Sequence, residues 1–308
     1  FKKIYMNKIK ILDGGTGAEI RRRGYEVPYH VDSIWSAQSL IDNPEVVEQI
    51  HYDYIHSGAR YITINNYALT QPILSRAKIE NRLIELTSLA IDLAISAKKR
   101  SNKDVKIIGS LPPLETSYMS DLVINEKDML DNYRVIAGVL KNKVDIILCE
   151  TMSSSIEANT AVKAGLETNL ETWVSWTLQG SRSNTLPSGE TIEQAFNKMK
   201  NLEPDAYLLN CCGANFITDG MKILKNLTDK PIGGYANSSK VVSTNNTKLV
   251  DKNPMNSQRA NSTSINEWEY ADEAYKWMEN GASIIGGCCG TTPNHIKELD
   301  KKSKKFLE

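Results

Sequence analysis

The chain has 308 residues, and its 37 Lys and Arg balance 37 Asp and Glu, so the formal net charge is +0. This balance excludes the basic field that attracts nucleic acid or an anionic membrane surface, and we expect neither as a partner. No run of about 18 apolar residues predicts a transmembrane helix, and the N-terminal residues lack the apolar segment of a secretory signal. The five cysteines are odd in number and include two adjacent pairs, which is not a disulfide framework. We therefore expect a cytoplasmic protein with free thiols.

Short apolar, β-branched runs recur along the chain at intervals that leave room for a helix. Each is continuously apolar through its first half, as in a parallel strand that is buried on both faces. Eight such runs are predicted as strands, at 9–15, 59–67, 105–113, 144–151, 172–179, 206–213, 231–239 and 282–290.

Helical patterns lie between these runs. Residues 43–59 have Pro44 in the first turn and a closing Gly58, and 81–100 repeat apolar positions at three and four and end in cations. Similar patterns occupy 128–143, 155–168, 191–202, 216–227 and 266–282.

The alternation of strand and helix, repeated to eight strands, predicts an α/β fold of the (β/α)8 TIM-barrel type. We expect a single domain over residues 1–308. An open, doubly wound sheet is the alternative, although eight strands at this spacing favour closure. The polar, Asn- and Ser-rich segment 239–264 is predicted to be one long loop.

Chemically versatile residues that are poor strand formers stand where the predicted strands end. In a barrel, the carboxyl ends of the strands meet at one rim, where such enzymes place their active sites. The residues concerned are Asp13, Asn65, Asn66, Tyr67, Cys149, Glu150, Thr151, Asn210, Cys211, Cys212, Asn237, Cys288 and Cys289. Ser110 and Ser175 are further candidates for hydrogen bonding at this rim.

The two cysteine pairs end the sixth and eighth predicted strands. Cys211 or Cys212 can then meet Cys288 and Cys289, and three thiolates facing one point suit Zn²⁺. Flanking glycines would allow two adjacent side chains to reach one ion. Simple core packing and a redox pair are the alternative interpretations. Cys149 lies in an apolar run and is interpreted as a core residue.

Two other patterns carry less functional information. The four histidines, His30, His51, His56 and His295, show no ligand spacing. The segment DGGTG at 13–17 lacks the spacing of a nucleotide-binding glycine loop.

Several segments together resemble the homocysteine S-methyltransferase family. They include ILDGGTGAEI, DIILCET, LLNCC and GASIIGGCCGTTPNHI, and the similarity runs in order from about Ile11 to Ile296. It is closest to the compact members that use S-methylmethionine or S-adenosylmethionine. It is less close to the betaine-dependent members, which have a longer C-terminus, and to the large cobalamin-dependent enzymes. The resemblance implies a zinc-dependent methyltransferase that forms methionine from L-homocysteine.

The resemblance also implies roles for individual residues. Its implied zinc ligands are Cys211, Cys288 and Cys289. Cys212 occupies the following, variable position and is not expected to bind the metal. Asp13 and Glu150 match acidic residues that hold the amino group of homocysteine. The segment ANSS at 236–239 differs from the PNSG of relatives but retains Asn237.

A mechanism follows from the chemistry of the substrates. A free thiol has a pKa of about 8.5, and ligation to Zn²⁺ stabilises its thiolate, so we expect no catalytic side chain beyond the zinc-activated substrate thiolate. The donor must carry its methyl group on a sulfonium or quaternary ammonium centre. S-methylmethionine, S-adenosylmethionine, betaine and dimethylsulfoniopropionate all qualify. Trp35 and Tyr67 are candidates to hold such a cation on their aromatic faces, and Asn237 is a candidate for hydrogen bonding to substrate.

Two alternatives remain open from the sequence. The acceptor can be another small thiol or a selenol. The protein can also be a non-enzymatic zinc or redox protein on a barrel scaffold, in which case four protein ligands would close the metal site.

Overall fold

The computed structural model describes residues 8–28, 33–122, 125–180, 182–243 and 262–308. Ten strands form in this part of the chain, of which eight are parallel and belong to one sheet. In chain order the strands are β1 (Lys10–Ile11), β2 (Tyr61–Thr63), β3 (Lys106–Leu111), β4 (Ile146–Met152), β5 (Glu171–Thr177), β6 (Ala206–Gly213), β7 (Ile232–Asn237), β8 (Ser239–Val241), β9 (Ser262–Ser264) and β10 (Ala282–Gly287).

The parallel sheet closes on itself. Its strand order is β1-β10-β7-β6-β5-β4-β3-β2, and a parallel bridge between Leu12 and Tyr61 joins the two ends. The predicted (β/α)8 barrel is therefore confirmed, and the doubly wound alternative is wrong because an open sheet would have no such bridge.

Eleven α-helices are present in the described ranges. They are α1 (Thr16–Arg22), α2 (Gln38–Asp42), α3 (Pro44–His56), α4 (Gln71–Ser75), α5 (Leu83–Ser101), α6 (Glu126–Leu140), α7 (Ser155–Leu166), α8 (Ile192–Met199), α9 (Ala214–Leu227), α10 (Glu267–Glu279) and α11 (Pro293–Leu307). None of these helices is long and apolar enough to cross a membrane.

Local chemistry explains where the helices begin. Pro44 occupies the first turn of α3, where its missing N–H costs no hydrogen bond. Asn266 caps α10 by accepting from the backbone of Trp268 and Glu269, and the Glu269 side chain accepts from the Asn266 N–H in return. The helices predicted by apolar periodicity are all found. Helices α1, α2, α4 and α11 were not predicted.

Alternation along the strands separates two apolar layers. In β4, Ile146 and Leu148 point into the barrel, whereas Ile147 and Cys149 join the layer between the strands and the helices. The inner cluster comprises Leu12, Ile108, Ile146, Leu148, Trp173, Ala206, Leu208, Tyr235 and Ile284. The barrel interior is thus filled by side chains, so a cavity within the barrel must lie at one of its two ends.

The segment 239–264 differs from the predicted single loop. Its two ends pair as the antiparallel strands β8 and β9, with Ser239 opposite Ser264 and Val241 opposite Ser262. The prediction is wrong for these ends because cross-strand pairing satisfies their backbone groups. Residues 244–261 lie outside the described part of the chain.

Candidate metal centre and substrate cavity

Three thiols meet at the carboxyl ends of β6 and β10. The sulfur atoms of Cys211, Cys288 and Cys289 all lie within 4.8 Å of one another. The Cys211 and Cys289 sulfurs are 3.8 Å apart. These are the three cysteines that the resemblance implies as ligands. Cys211 and Cys289 are 78 positions apart in sequence and come together only because the barrel brings the carboxyl ends of β6 and β10 to one rim.

A β-bulge turns Cys211 into this cluster. The register between β6 and β7 shifts between Asn210 and Gly213, and Cys211 has a φ of +55°. The neighbouring Cys212 side chain consequently packs in the outer apolar layer, where burial raises the pKa of its thiol to about 12. The structure thus separates two adjacent cysteines, one in the cluster and one in the core.

The turn after β10 depends on glycines. Gly290 adopts a φ of +79°, which lets the chain reverse directly after Cys288 and Cys289. At Gly15, a Cβ atom would lie 2.5 Å from the carbonyl oxygen of Cys288. Only glycine therefore allows the start of α1 to approach the thiol cluster this closely.

The geometry of the thiols fits a tetrahedral metal ion. With zinc–sulfur bonds of about 2.3 Å, tetrahedral angles place two ligand sulfurs about 3.8 Å apart, which matches Cys211 and Cys289. Hydrogen bonding of the neutral Cys288 thiol to the Cys211 and Cys289 sulfurs, together with burial, holds the pKa of Cys288 well above its ordinary range. All three thiols can therefore lose their protons together only when a cation lies beside them, and the cluster has the geometry to bind such a cation.

The cluster opens into a cavity of about 320 Å³ at the C-terminal end of the barrel. Its walls include Asp13, Trp35, Tyr67 and Glu150, four residues predicted for substrate binding, and also Arg21, the one cation among its described lining residues. Asn237 is not among the residues that line this cavity. The Asn237 Oδ1 atom is buried and has no hydrogen-bond partner in the described part of the chain, so its role stays a prediction.

Two buried carboxyl groups face this cavity. The Thr63 backbone N–H donates to Asp13 Oδ2 over 2.9 Å, while burial raises the pKa of Asp13 well above its ordinary range. Glu150 accepts from the Ser110 hydroxyl at 2.5 Å and from the Tyr235 hydroxyl at 3.3 Å. Burial nevertheless raises the pKa of Glu150 to about 7. Carboxylates in such surroundings are stabilised by a cationic partner.

A second bulge presents Glu150 to the cavity. The register between β4 and β5 shifts between Cys149 and Met152, and Thr151 has a φ of +61°. Asn210 fixes this backbone, since its Oδ1 accepts from the Thr151 N–H at 3.0 Å and its Nδ2 donates to the Thr151 hydroxyl at 2.7 Å. The Ser175 hydroxyl also donates to Asn210 Oδ1, at 2.7 Å. Asn210, Thr151 and Ser175 thus form a framework behind Glu150.

Four non-glycine residues that line the cavity have positive φ angles. Trp35, Tyr118, Thr151 and Cys211 line it and have φ values of +41°, +68°, +61° and +55°. Such conformations are unfavourable for residues with bulky or branched side chains and are typical of functional sites. No sequence signal predicts them, because each is imposed by contacts made between strands and loops.

Aromatic groups form the outer wall. The Trp35 and Tyr67 rings meet edge to face, with centroids 5.8 Å apart. The Tyr67 hydroxyl lies 2.7 Å from the Ser117 hydroxyl. Next to it, the Tyr118 hydroxyl lies 2.8 Å from the Cys211 sulfur. Neither Tyr118 nor Tyr235 was predicted as a site residue, because one lies in a loop and the other inside a strand.

Other polar residues at the strand ends have structural contacts. Asn66 holds β2 to β3 through its bonds with both backbone groups of Ser110, and Asn65 donates to the Ser36 carbonyl oxygen. His51 and His295 are buried away from the thiols, and His56 is exposed on α3. His30 lies outside the described residues.

Comparison with known proteins gives a consistent result. The profile of the family described as homocysteine S-methyltransferase matches residues 10–303. Homocysteine S-methyltransferase 1 of Brassica oleracea var. italica is 27% identical, over 96% of this chain and 93% of the relative. Selenocysteine methyltransferase of Astragalus bisulcatus is 25% identical, over 94% and 91%. The metallated form of the homocysteine methyltransferase MmuM from Escherichia coli shares the fold, with a TM-score of 0.77, 24% identity and 96% coverage of both chains.

The fold and the site together define a (β/α)8-barrel protein with a three-thiol cluster, of a geometry that could hold a metal ion, at the carboxyl ends of its strands. The chain belongs to the homocysteine S-methyltransferase family, because the family profile spans nearly its whole length. The resemblance found in the sequence is thereby confirmed, and the protein is a member of a family of methyltransferases.

Proposed function

We propose that this protein transfers a methyl group from a sulfonium or quaternary ammonium donor to the thiol of L-homocysteine, giving methionine. The observation that carries the proposal is the meeting of three thiols and two buried carboxyl groups in one cavity, in a chain of this family. We further propose a cytoplasmic location, because these thiols must stay reduced to bind a metal.

Zinc is the metal that this donor set favours. Cys211, Cys288 and Cys289 would hold it, since three thiolates suit Zn²⁺ and leave one of four tetrahedral positions for substrate. When bound, zinc stabilises the thiolate form of the substrate at neutral pH. The three protein thiolates leave electron density on that sulfur, so it remains nucleophilic.

Asp13 and Glu150 would bind the ammonium group of homocysteine. Both carboxyl groups are buried and lack a cationic partner in the described structure, so an ammonium group placed between them forms charge-assisted hydrogen bonds. Ser110 and Tyr235 hold the Glu150 carboxylate in a fixed orientation. This anchoring directs the other end of homocysteine, its thiol, toward the cysteine cluster.

The aromatic wall would hold the methyl donor. A sulfonium or quaternary ammonium cation on the faces of Trp35 and Tyr67 gains about 0.5–2 kcal/mol. Transfer forms a bond between the homocysteine sulfur and the methyl carbon as the donor's bond to that carbon breaks, and the electron pair stays with the donor. Alignment of the two substrates and exclusion of water are therefore the main tasks of the cavity.

A selenol acceptor is a second candidate. The observation that favours it is the similarity to a relative named selenocysteine methyltransferase. A selenol is more acidic than a thiol, and the same thiolate cluster can serve it. Comparing L-homocysteine with L-selenocysteine as acceptors separates the two proposals.

The test is methionine formation by zinc-loaded protein with one donor in each tube. The four donors are S-methylmethionine, S-adenosylmethionine, glycine betaine and dimethylsulfoniopropionate. Turnover with any one of them establishes the reaction and identifies the donor. Absence of turnover with all four, from protein shown to hold zinc, would contradict the proposal. A metal whose sulfur coordination does not change on adding homocysteine would then indicate a closed structural site.

A further inference from the structure

Tyr118 lies in the loop after β3 and extends its side chain to the thiol cluster. Its side chain is buried, and its hydroxyl oxygen lies 2.8 Å from the Cys211 sulfur. Tyr118 has a φ of +68°, so the backbone holds this ring in an uncommon conformation. The adjacent Ser117 is bound by the Tyr67 hydroxyl at 2.7 Å. Two neighbouring residues of the loop are thus fixed to the cavity wall.

The Tyr118 hydroxyl has one proton and two acceptors within reach. Besides the Cys211 sulfur, it lies 3.3 Å from the Cys211 carbonyl oxygen. That carbonyl also has a donor in the Thr177 hydroxyl, at 3.4 Å. The sulfur is the nearer acceptor, and as a metal-bound thiolate it carries negative charge and has no proton to donate. The Cys211 sulfur is therefore the stronger of the two acceptors for the Tyr118 hydroxyl.

We propose that Tyr118 is a positioning residue that donates a hydrogen bond to the metal-bound thiolate of Cys211. The inference rests on the metal centre of the proposed function. Such a bond withdraws electron density from the sulfur and fixes its direction, and outer contacts of this kind tune the metal affinity of a site. Tyr118 thereby links the loop over the cavity to the charge on the metal centre.

The test uses the full chain loaded with Co²⁺, because cobalt replaces zinc in such sites and gives sulfur-to-metal charge-transfer absorption. The variant is Tyr118→Phe, which removes the hydroxyl and keeps the ring. The matched control is Tyr133→Phe in α6, a buried tyrosine whose hydroxyl has no partner in the described structure. Zinc affinity is measured in parallel by competition with a chelator.

We expect the charge-transfer band of Tyr118→Phe to move to longer wavelength, because the sulfur electrons lie higher in energy without the hydrogen bond. We also expect zinc affinity to fall by about 10-fold. The control should match the wild-type protein in both. A band at the wild-type position in metal-loaded Tyr118→Phe would overturn the inference, because a bond to the carbonyl oxygen alone would not affect the sulfur.

A second variant keeps the inference testable if Tyr118→Phe does not fold. A fluorinated tyrosine at position 118 keeps the shape of the ring and makes its hydroxyl a stronger donor, so the band should move to shorter wavelength. An unmoved band would again contradict the role of Tyr118. Wild-type protein without any sulfur charge-transfer absorption would overturn the metal centre itself. A band shift in protein that forms no methionine would support Tyr118 and contradict methyl transfer instead.

Discussion

At the scale of single residues, the site depends on which way each side chain points. Cys211 and Cys212 are neighbours in sequence, but one joins the thiol cluster and the other packs in the outer apolar layer. The strand pattern alone leaves open which of the two joins the cluster, and the family resemblance is what selected Cys211. A φ of +55° at Cys211 makes the difference.

The first prediction concerns the thiol cluster. We expect Cys288→Ser to lose bound zinc and methyl transfer while the barrel still folds, because a serine hydroxyl is a poor zinc ligand. Metal analysis, circular dichroism and methionine formation measure the three properties. The control is Cys212→Ala, which should keep its zinc because that side chain packs in the core. Full zinc content and activity in Cys288→Ser would show that Cys288 is not a ligand.

The second prediction concerns the carboxyl groups. Glu150→Ala should raise the KM for homocysteine by about 10- to 100-fold, since a charge-assisted hydrogen bond to the ammonium group contributes about 1.5–3 kcal/mol. Zinc content should not change. Steady-state kinetics at saturating donor measure the effect, and Glu85→Ala on the exposed surface of α5 is the control. An unchanged KM would remove Glu150 from the substrate site.

At the scale of elements, two β-bulges shape the rim. One in β4 presents Glu150, and one in β6 presents Cys211. Asn210 lies in β6 directly before the second bulge and holds the backbone of the first through Thr151. The carboxylate and the thiol are therefore positioned by one shared framework. Bulges next to active sites commonly redirect side chains in this way.

The third prediction concerns this framework. Asn210→Ala removes the partner of three hydrogen bonds and leaves buried groups unsatisfied. We therefore expect the free energy of unfolding to fall by about 3 kcal/mol. Ser175→Ala removes only one of these bonds and should lower the free energy of unfolding by about 1 kcal/mol. Urea unfolding of the zinc-free proteins compares the two. Equal losses in both variants would mean that Asn210 does not hold the bulge.

At the scale of the whole molecule, the thiol cluster joins distant parts of the chain. Cys211 and Cys289 are 78 residues apart, and β7 lies between their strands in the sheet. A metal ion bound by both therefore cross-links β6 to β10 across the rim. A metal ion that binds the native state and not the unfolded chain stabilises the fold. That residues 1–308 form a single domain stays a prediction.

The fourth prediction concerns this cross-link. Zinc at about 100 times its dissociation constant should stabilise the native protein by about 2.7 kcal/mol and raise its melting temperature. A chelator should reverse the change. Cys288→Ser, which lacks one ligand, should melt at the same temperature with and without zinc. A wild-type protein that binds zinc and melts unchanged would indicate equal binding by the unfolded chain.

The sequence by itself determined the barrel and the cysteine cluster. Continuous apolar runs of strand length, separated by amphipathic helices, leave few ways to bury both faces of eight strands. Residues after those strands must then share one rim, so Asp13, Glu150, Cys211, Cys288 and Cys289 could be placed together before any coordinates were known. The sequence motifs added the family, which the profile match confirms.

Only the tertiary structure decided the details that direct the side chains. The alternation of side chains along a strand predicts which side of the sheet each residue faces. A bulge reverses that prediction for the residues after it, and the position of the bulge depends on contacts with neighbouring strands. Tyr118 and Tyr235 were not predicted as site residues for the same reason. The Tyr118 hydroxyl contacts Cys211 and the Tyr235 hydroxyl contacts Glu150 only when distant segments pack together. Local sequence determines the elements, whereas non-local packing determines the geometry between them.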